Sequence, residues 1–167
     1  MVDRRMRACE ETFSHTLLRA FRFGTVAETD FQRLKYRCDP LRVIDLEGLS
    51  DREIAHERVR EPVKLGKFQP ADVLRLRPDV WIPGHRFRTK DSRLGTRPHP
   101  LLTDAETQMR ILGYDERRAV ATGEVAAELA ALYVPASIKM CGIYYNVFVR
   151  KDLATKLSEV GFTVEGH

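Results

Sequence analysis

Five cations lie between Gly84 and Pro100: Arg86, Arg88, Lys90, Arg93 and Arg97, with Asp91 as the acid among them and Gly and Pro at both margins. Guanidinium and ammonium groups at this density can follow a phosphate backbone, gaining affinity by releasing condensed counterions. An arginine can in addition read guanine through two parallel hydrogen bonds. The same charges would equally suit a solvated surface loop. The stretch is the densest part of an uneven distribution: residues 51–100 hold 12 Lys/Arg against 7 Asp/Glu, and residues 101–150 hold 5 against 6, in a chain of net charge +4. Other chemistry is thinner. His85, His99 and Asp91 share the basic stretch, but their spacing fits no metal-ligating or acid-base motif. The chain contains no Walker loop, no Gly-x-Ser-x-Gly and no His-Glu-x-x-His. Cys9, Cys38 and Cys141 are an odd set at wide spacings, which suggests neither a disulfide framework nor a zinc site, so reduced and mostly buried thiols are expected.

The elements that must position these groups follow from periodicity and from start and stop signals. Met6, Cys9, Phe13, Leu17 and Phe21 recur at intervals of three and four, predicting an amphipathic helix over residues 4–23 that Gly24 stops. A short helix is predicted over 29–36 and a short strand over 41–46. The capping-box spacing of Ser50 and Glu53 starts a helix over 51–60, and Pro70 suits the first turn of another over 71–76. Between Pro78 and Pro83, residues 79–82 form a short strand or apolar anchor, with Trp81 assigned to the core rather than to a ligand. Further helices are predicted over 103–112, from a second capping box at Thr103 and Glu106, and over 124–132. Another opens at Pro135 and continues through Val147, and a final turn or helix over 151–160 stops at Gly161.

At 167 residues and 43 % hydrophobic, the chain can bury a core. No run approaches about eighteen consecutive apolar residues, and the charges among the first twenty residues are wrong for a signal peptide. A soluble intracellular protein of cytoplasm or nucleus, without a membrane partner, is expected. The predicted fold class is α+β, mainly helical, with short strands in the middle and a helical C-terminal third. It divides into a helical N-terminal region (1–62), a basic recognition-like region (63–100) and a C-terminal helical region (101–167) within one compact unit.

Leu102, Thr103 and Glu106, then Arg110, Gly113 and Tyr114, then Val134 and Pro135, stand in a familiar order. The stretch from about residue 97 to 149 resembles the C-terminal end of DNA cytosine-5 methyltransferases. There Arg-x-Leu-Thr-x-Arg-Glu leads to Arg-x-x-Gly-(Phe/Tyr)-Pro, then to Gly-Asn-x-Val-Pro and a closing helix. Pro100 and Ala105 replace that family's two arginines, Asp115 its proline, and Ala131-Leu132 its Gly-Asn. Its Pro-Cys nucleophile has no counterpart, since Cys9 follows Ala8, Cys38 follows Arg37 and Cys141 follows Met140. No Gly-rich strand-to-helix turn near the start offers a place for S-adenosylmethionine.

The resemblance therefore implies a recognition subunit or fragment that binds DNA and is not catalytic alone. Arg86, Arg88, Lys90, Arg93 and Arg97 would contact the DNA, while Glu106, Arg110, Val134 and Pro135 tie the closing helices to a catalytic partner chain. S-adenosylmethionine would enter only through that partner. Two other classes compete. One is a nucleic-acid-binding or regulatory module whose helices over 104–112 and 124–132 pair as in a helix-turn-helix. The other is a protein-interaction subunit with Tyr144, Tyr145, Phe148 and Phe162 as exposed anchors.

Overall fold

A computed structural model of the chain describes residues 4–28, 41–45, 74–82, 94–95 and 123–165. The first element is helix α1 (Arg4–Ala20). Its apolar stripe is buried as the three-and-four spacing requires, with Cys9, Phe13, Leu17 and Phe21 at 4, 7, 0 and 4 % exposure. The helix also carries Thr12, Ser14 and Thr16, residue types that compete with a helical backbone. Here their hydroxyls donate to the carbonyls four residues back, on Ala8, Glu10 and Thr12, at 2.9, 2.8 and 2.7 Å. That arrangement lets Ser14 and Thr16 be buried without an orphaned polar group. Beyond the helix, the Gly24 amide donates to the Phe21 carbonyl. A side chain at Gly24 would meet Phe21 Cβ at 2.7 Å and Asp79 Oδ2 at 2.9 Å, so only glycine fits where the chain turns into the sheet.

The sheet comprises β1 (Thr25–Glu28), β2 (Arg42–Asp45), β3 (Val80–Ile82), β4 (Leu94–Gly95), β5 (Tyr133–Met140), β6 (Ile143–Arg150) and β7 (Thr163–Val164). Six strands run in the order β2-β1-β3-β6-β5-β7, and β4 pairs beside β6. β1 is parallel to both β2 and β3, whereas β6 is antiparallel to β3, β4 and β5, and β5 to β7. Helix α2 (Gly123–Leu132) runs directly into β5, and a 3-10 turn (Lys151–Leu153) leads from β6 into helix α3 (Ala154–Glu159). Gly161, at φ +98°, ends α3: its amide donates to the Ser158 carbonyl and that of Phe162 to Leu157, the paired bonds that close a helix through a left-handed residue.

Period-2 alternation divides the core between the two faces of this sheet. On one face α1 and α3 pack against Val26, Val80, Val134, Ala136, Tyr145, Val147 and Val149. Phe13 stacks on Tyr145 there, with ring centroids 4.7 Å apart. On the other face Ala27, Ile44, Trp81, Tyr133 and Phe148 pack with Leu129 of α2, and Leu74 and Leu76 from the helical residues 74–76 close over them. Trp81, fully buried as its sequence setting predicts, stacks on Phe148 at 5.0 Å and meets Tyr133 edge-on at 6.4 Å. Each such large apolar side chain contributes on the order of 1.5–3 kcal/mol by leaving water.

The mainly helical expectation is overturned: the described residues are 42 % helix and 38 % strand, built around a mixed sheet. The error concentrates in the C-terminal third. Val134 and Pro135 lie in strand β5, not at the start of a helix, and the segment continuing from Pro135 is a β5–β6 hairpin. Its register closes Met140 on Ile143 through a two-residue loop in which Cys141 and Gly142 both have positive φ, +53° and +85°. This is the type I′ arrangement, whose backbone twist matches that of the flanking strands. Pro135 is tolerated in the ladder, and its carbonyl accepts the Glu165 amide at 3.0 Å beside β7. A second correction concerns the thiols: Cys9 and Cys141 form a disulfide instead of standing reduced. Among the described residues, no helix is long and apolar enough to cross a membrane.

Candidate functional site

The parallel strands β2, β1 and β3 end on Asp45, Glu28 and Ile82, which stand in register as neighbours. The chain moves outward from β1 to β2 and then returns across β1 to reach β3, so the direction of winding reverses at β1. Ligands of open α/β sheets bind in the crevice beyond the carboxyl ends of the strands at such a reversal. Asp45 is the notable residue of this edge, a carboxyl group with 0 % exposure at the end of β2. Burial of a carboxylate is costly unless hydrogen-bond donors surround it, so a buried acid at a strand end marks a place where donors converge. Sequence reasoning reached the strand but not the acid's importance. The available signal was an aspartate closing a short β-branched run, Val43-Ile44-Asp45.

The opposite, amino edge of the same strands is polar for another reason. Asp79 precedes β3, and its amide donates to the Thr25 carbonyl at 2.8 Å while its Oδ2 accepts the Thr25 amide at 2.8 Å. Its carbonyl accepts the Arg150 amide at 3.0 Å, and its Oδ1 lies 3.3 Å from Arg150 Nη1. One aspartate thus joins the starts of β1 and β3 to the end of β6. Arg150 in turn grips Asp152 with two parallel bonds, Nε to Oδ1 at 2.8 Å and Nη2 to Oδ2 at 2.9 Å. That hydrogen bond holds the Asp152 carboxyl below the usual range, against an opposing effect of burial. Nearby, the Tyr133 hydroxyl donates to the Pro78 carbonyl at 2.7 Å, and burial pushes its phenol well above the ordinary tyrosine value despite the opposing charge of Arg150.

A cleft of about 310 Å³ opens beside Asp79, lined by Phe21, Phe23, Gly24, Leu153 and Lys156 among others. The Asp79 carboxylate there is already engaged by the Thr25 amide and Arg150, so the amino edge is a structural corner and not an acid-base centre. Among the described residues Phe23, 81 % exposed, is a large apolar side chain left in water, with the Arg22 guanidinium 5.6 Å from its ring centroid.

The sequence-predicted site residues fare unevenly. Arg86, Arg88, Lys90, Arg93 and Arg97 lie outside the described residues, as do His85, Asp91, His99, Glu106 and Arg110. Of the basic stretch, Leu94 and Gly95 are described, and as β4 they pair with Tyr145 and Tyr144 of β6. Val134 and Pro135 are buried in β5. The aromatic anchors considered for protein interaction are core: Tyr145, Phe148 and Phe162 are 3, 0 and 5 % exposed, and Tyr144 is half-buried. Of the proposed helix-turn-helix pair, 124–132 is helical and 104–112 lies outside the described residues. No family model matches the chain, and no curated protein or solved structure matches it.

Proposed function

We propose that this chain is a binding module for an uncharged small molecule, such as a nucleoside or a sugar, seated at the carboxyl edge of β1 and β3. The observation that carries this reading is the reversal of winding at β1 with the buried Asp45 at the end of β2. Asp45, with no exposed surface, would hold the backbone of this edge in place from within and not touch the ligand itself. The sequence after β1, Thr29-Asp30-Phe31-Gln32-Arg33, has no glycines to cradle a diphosphate, which favours an uncharged ligand. Isothermal titration with adenosine and with glucose tests this, on the chain and on Asp45→Asn. One of the two should bind, and Asp45→Asn, which alters a buried support of the edge, should weaken binding about tenfold. Binding of neither, or equal binding by a folded Asp45→Asn, overturns the reading.

A second reading keeps the chain as a DNA-recognition subunit related to cytosine-5 methyltransferases, with S-adenosylmethionine held by a catalytic partner. It is favoured by the five cations of the 84–100 stretch and by the pairing of that stretch with the sheet through Leu94 and Gly95. It places the protein inside the cell. Fluorescence anisotropy on a labelled duplex, from roughly 50 to 200 mM salt, should then show steeply salt-dependent binding. Replacing Arg86, Arg88, Lys90 and Arg93 together by Ala should weaken it and flatten the salt slope. Binding unchanged by that replacement removes the DNA reading.

A further inference from the structure

The Cys9–Cys141 bond joins two parts of the fold that are 132 residues apart in sequence. Cys9 lies on the buried stripe of α1 at 4 % exposure, whereas Cys141 is exposed at the tip of the β5–β6 hairpin. Their Cα atoms are 6.4 Å apart, a separation that a disulfide spans without backbone movement. Helix α1 belongs to no ladder. It covers one face of the sheet by side-chain packing, and the bridge pins that cover to the hairpin. Cys141 makes this bond from a left-handed backbone position, a conformation costly for a residue with a Cβ.

We infer that the chain matures and works in an oxidising compartment, with Cys9–Cys141 as a structural staple. In reducing cytosol, glutathione and thioredoxin keep such pairs open. The bond forms by exchange with a protein or small-molecule disulfide. The accessible Cys141 thiolate attacks one sulfur of the donor and releases the other as a thiolate, giving a mixed disulfide. The Cys9 thiolate then displaces the second donor sulfur. Two protons leave the cysteines and two electrons reduce the donor disulfide to a dithiol. The exposed turn gives Cys141 the first step and the buried helix face gives Cys9 the second. The inference is independent of the neutral-ligand reading and opposes an intracellular DNA-binding role.

Two measurements test it. The chain isolated from the cells that make it is denatured with N-ethylmaleimide without reductant, digested and analysed by mass spectrometry. The peptides of Cys9 and Cys141 should be unlabelled and joined, and should separate and take label only after phosphine treatment. Labelled Cys9 and Cys141 before reduction overturn the compartment inference. In the second, the melting temperature of the oxidised chain should fall by about 4–16 °C in phosphine. Cys38→Ser should fall equally, and Cys141→Ser should start at the lower value and ignore the reductant. A melt of the bridged chain that phosphine leaves unchanged overturns the staple.

Discussion

The two halves of the sheet are made from chain used in different ways. The antiparallel half, β6, β5 and β7, comes from residues 133–164, joined by a two-residue turn and by the short α3 segment. The parallel half, β2, β1 and β3, gathers strands from residues 25–82 and needs crossovers between them. Loop closure for the second is entropically dearer and its contacts are less local, so the hairpin half is the natural scaffold and the parallel half the part that depends on it. They meet along two register pairs, Val80 with Val149 and Trp81 with Phe148. That seam is short for a ladder. The stacking of Trp81 on Phe148 and the bonds around Asp79 reinforce it. The lesson is a division of labour: the candidate ligand edge belongs to the half that local sequence secures least.

The two halves depend on each other most at the seam. Trp81→Ala should cost about 3–5 kcal/mol in urea unfolding followed by circular dichroism, because a fully buried indole leaves a cavity between the halves. A loss under about 1 kcal/mol would mean that the halves do not depend on this contact. Next come two glycines that separate space from backbone. Gly24→Ala, in the parallel half, should cost about 1–3 kcal/mol, since its Cβ enters occupied space beside Phe21 and Asp79. Gly142→Ala, in the antiparallel half, has nothing within 4 Å of the new atom and should cost about 1 kcal/mol from its positive φ alone. Equal costs would erase the distinction.

The smallest effect is at Asp152. Its side chain is 62 % exposed, so water screens the pair with Arg150, and Asp152→Asn should cost no more than about 0.5 kcal/mol at pH 7. The Asp152 carboxyl is depressed in the folded state. Its contribution is therefore complete above the unfolded value of about 3.9 and is lost as pH falls through the folded value. Wild type and variant should converge in strong acid, and a gap that persists there would show a cause other than ionisation.

What the sequence disclosed follows the same division. The stripe of α1, the helix before Tyr133, the strand ending at Asp45, the buried Trp81 and the stop at Gly161 were legible because each carries a local signature of period, breaker or cap. The hairpin was not. β5 and β6 have runs of consecutive buried residues, so they lack the alternation that separates a half-buried strand from a buried helix. The signals that pointed the right way were the density of Tyr, Val, Ile and Phe and the Cys141-Gly142 pair, read as positions inside a helix and not as a turn. The disulfide was hidden for a different reason: a spacing of 132 residues has no local pattern, and only the fold brings the two sulfurs together. The candidate site needed topology as well, because a reversal of winding is a property of strand order, to which residue types give no direct clue.

Trp81 has an optical consequence. It is the chain's one tryptophan, fully buried against Phe148 where the two halves join. Emission excited at the indole band therefore comes from that position alone. Any event that parts β3 from β6 will shift this light to the red as water reaches the ring, while fraying of the outer strands or the chain ends will leave it unchanged. The molecule thus carries its own lamp at the junction, and no dye need be attached to watch it open.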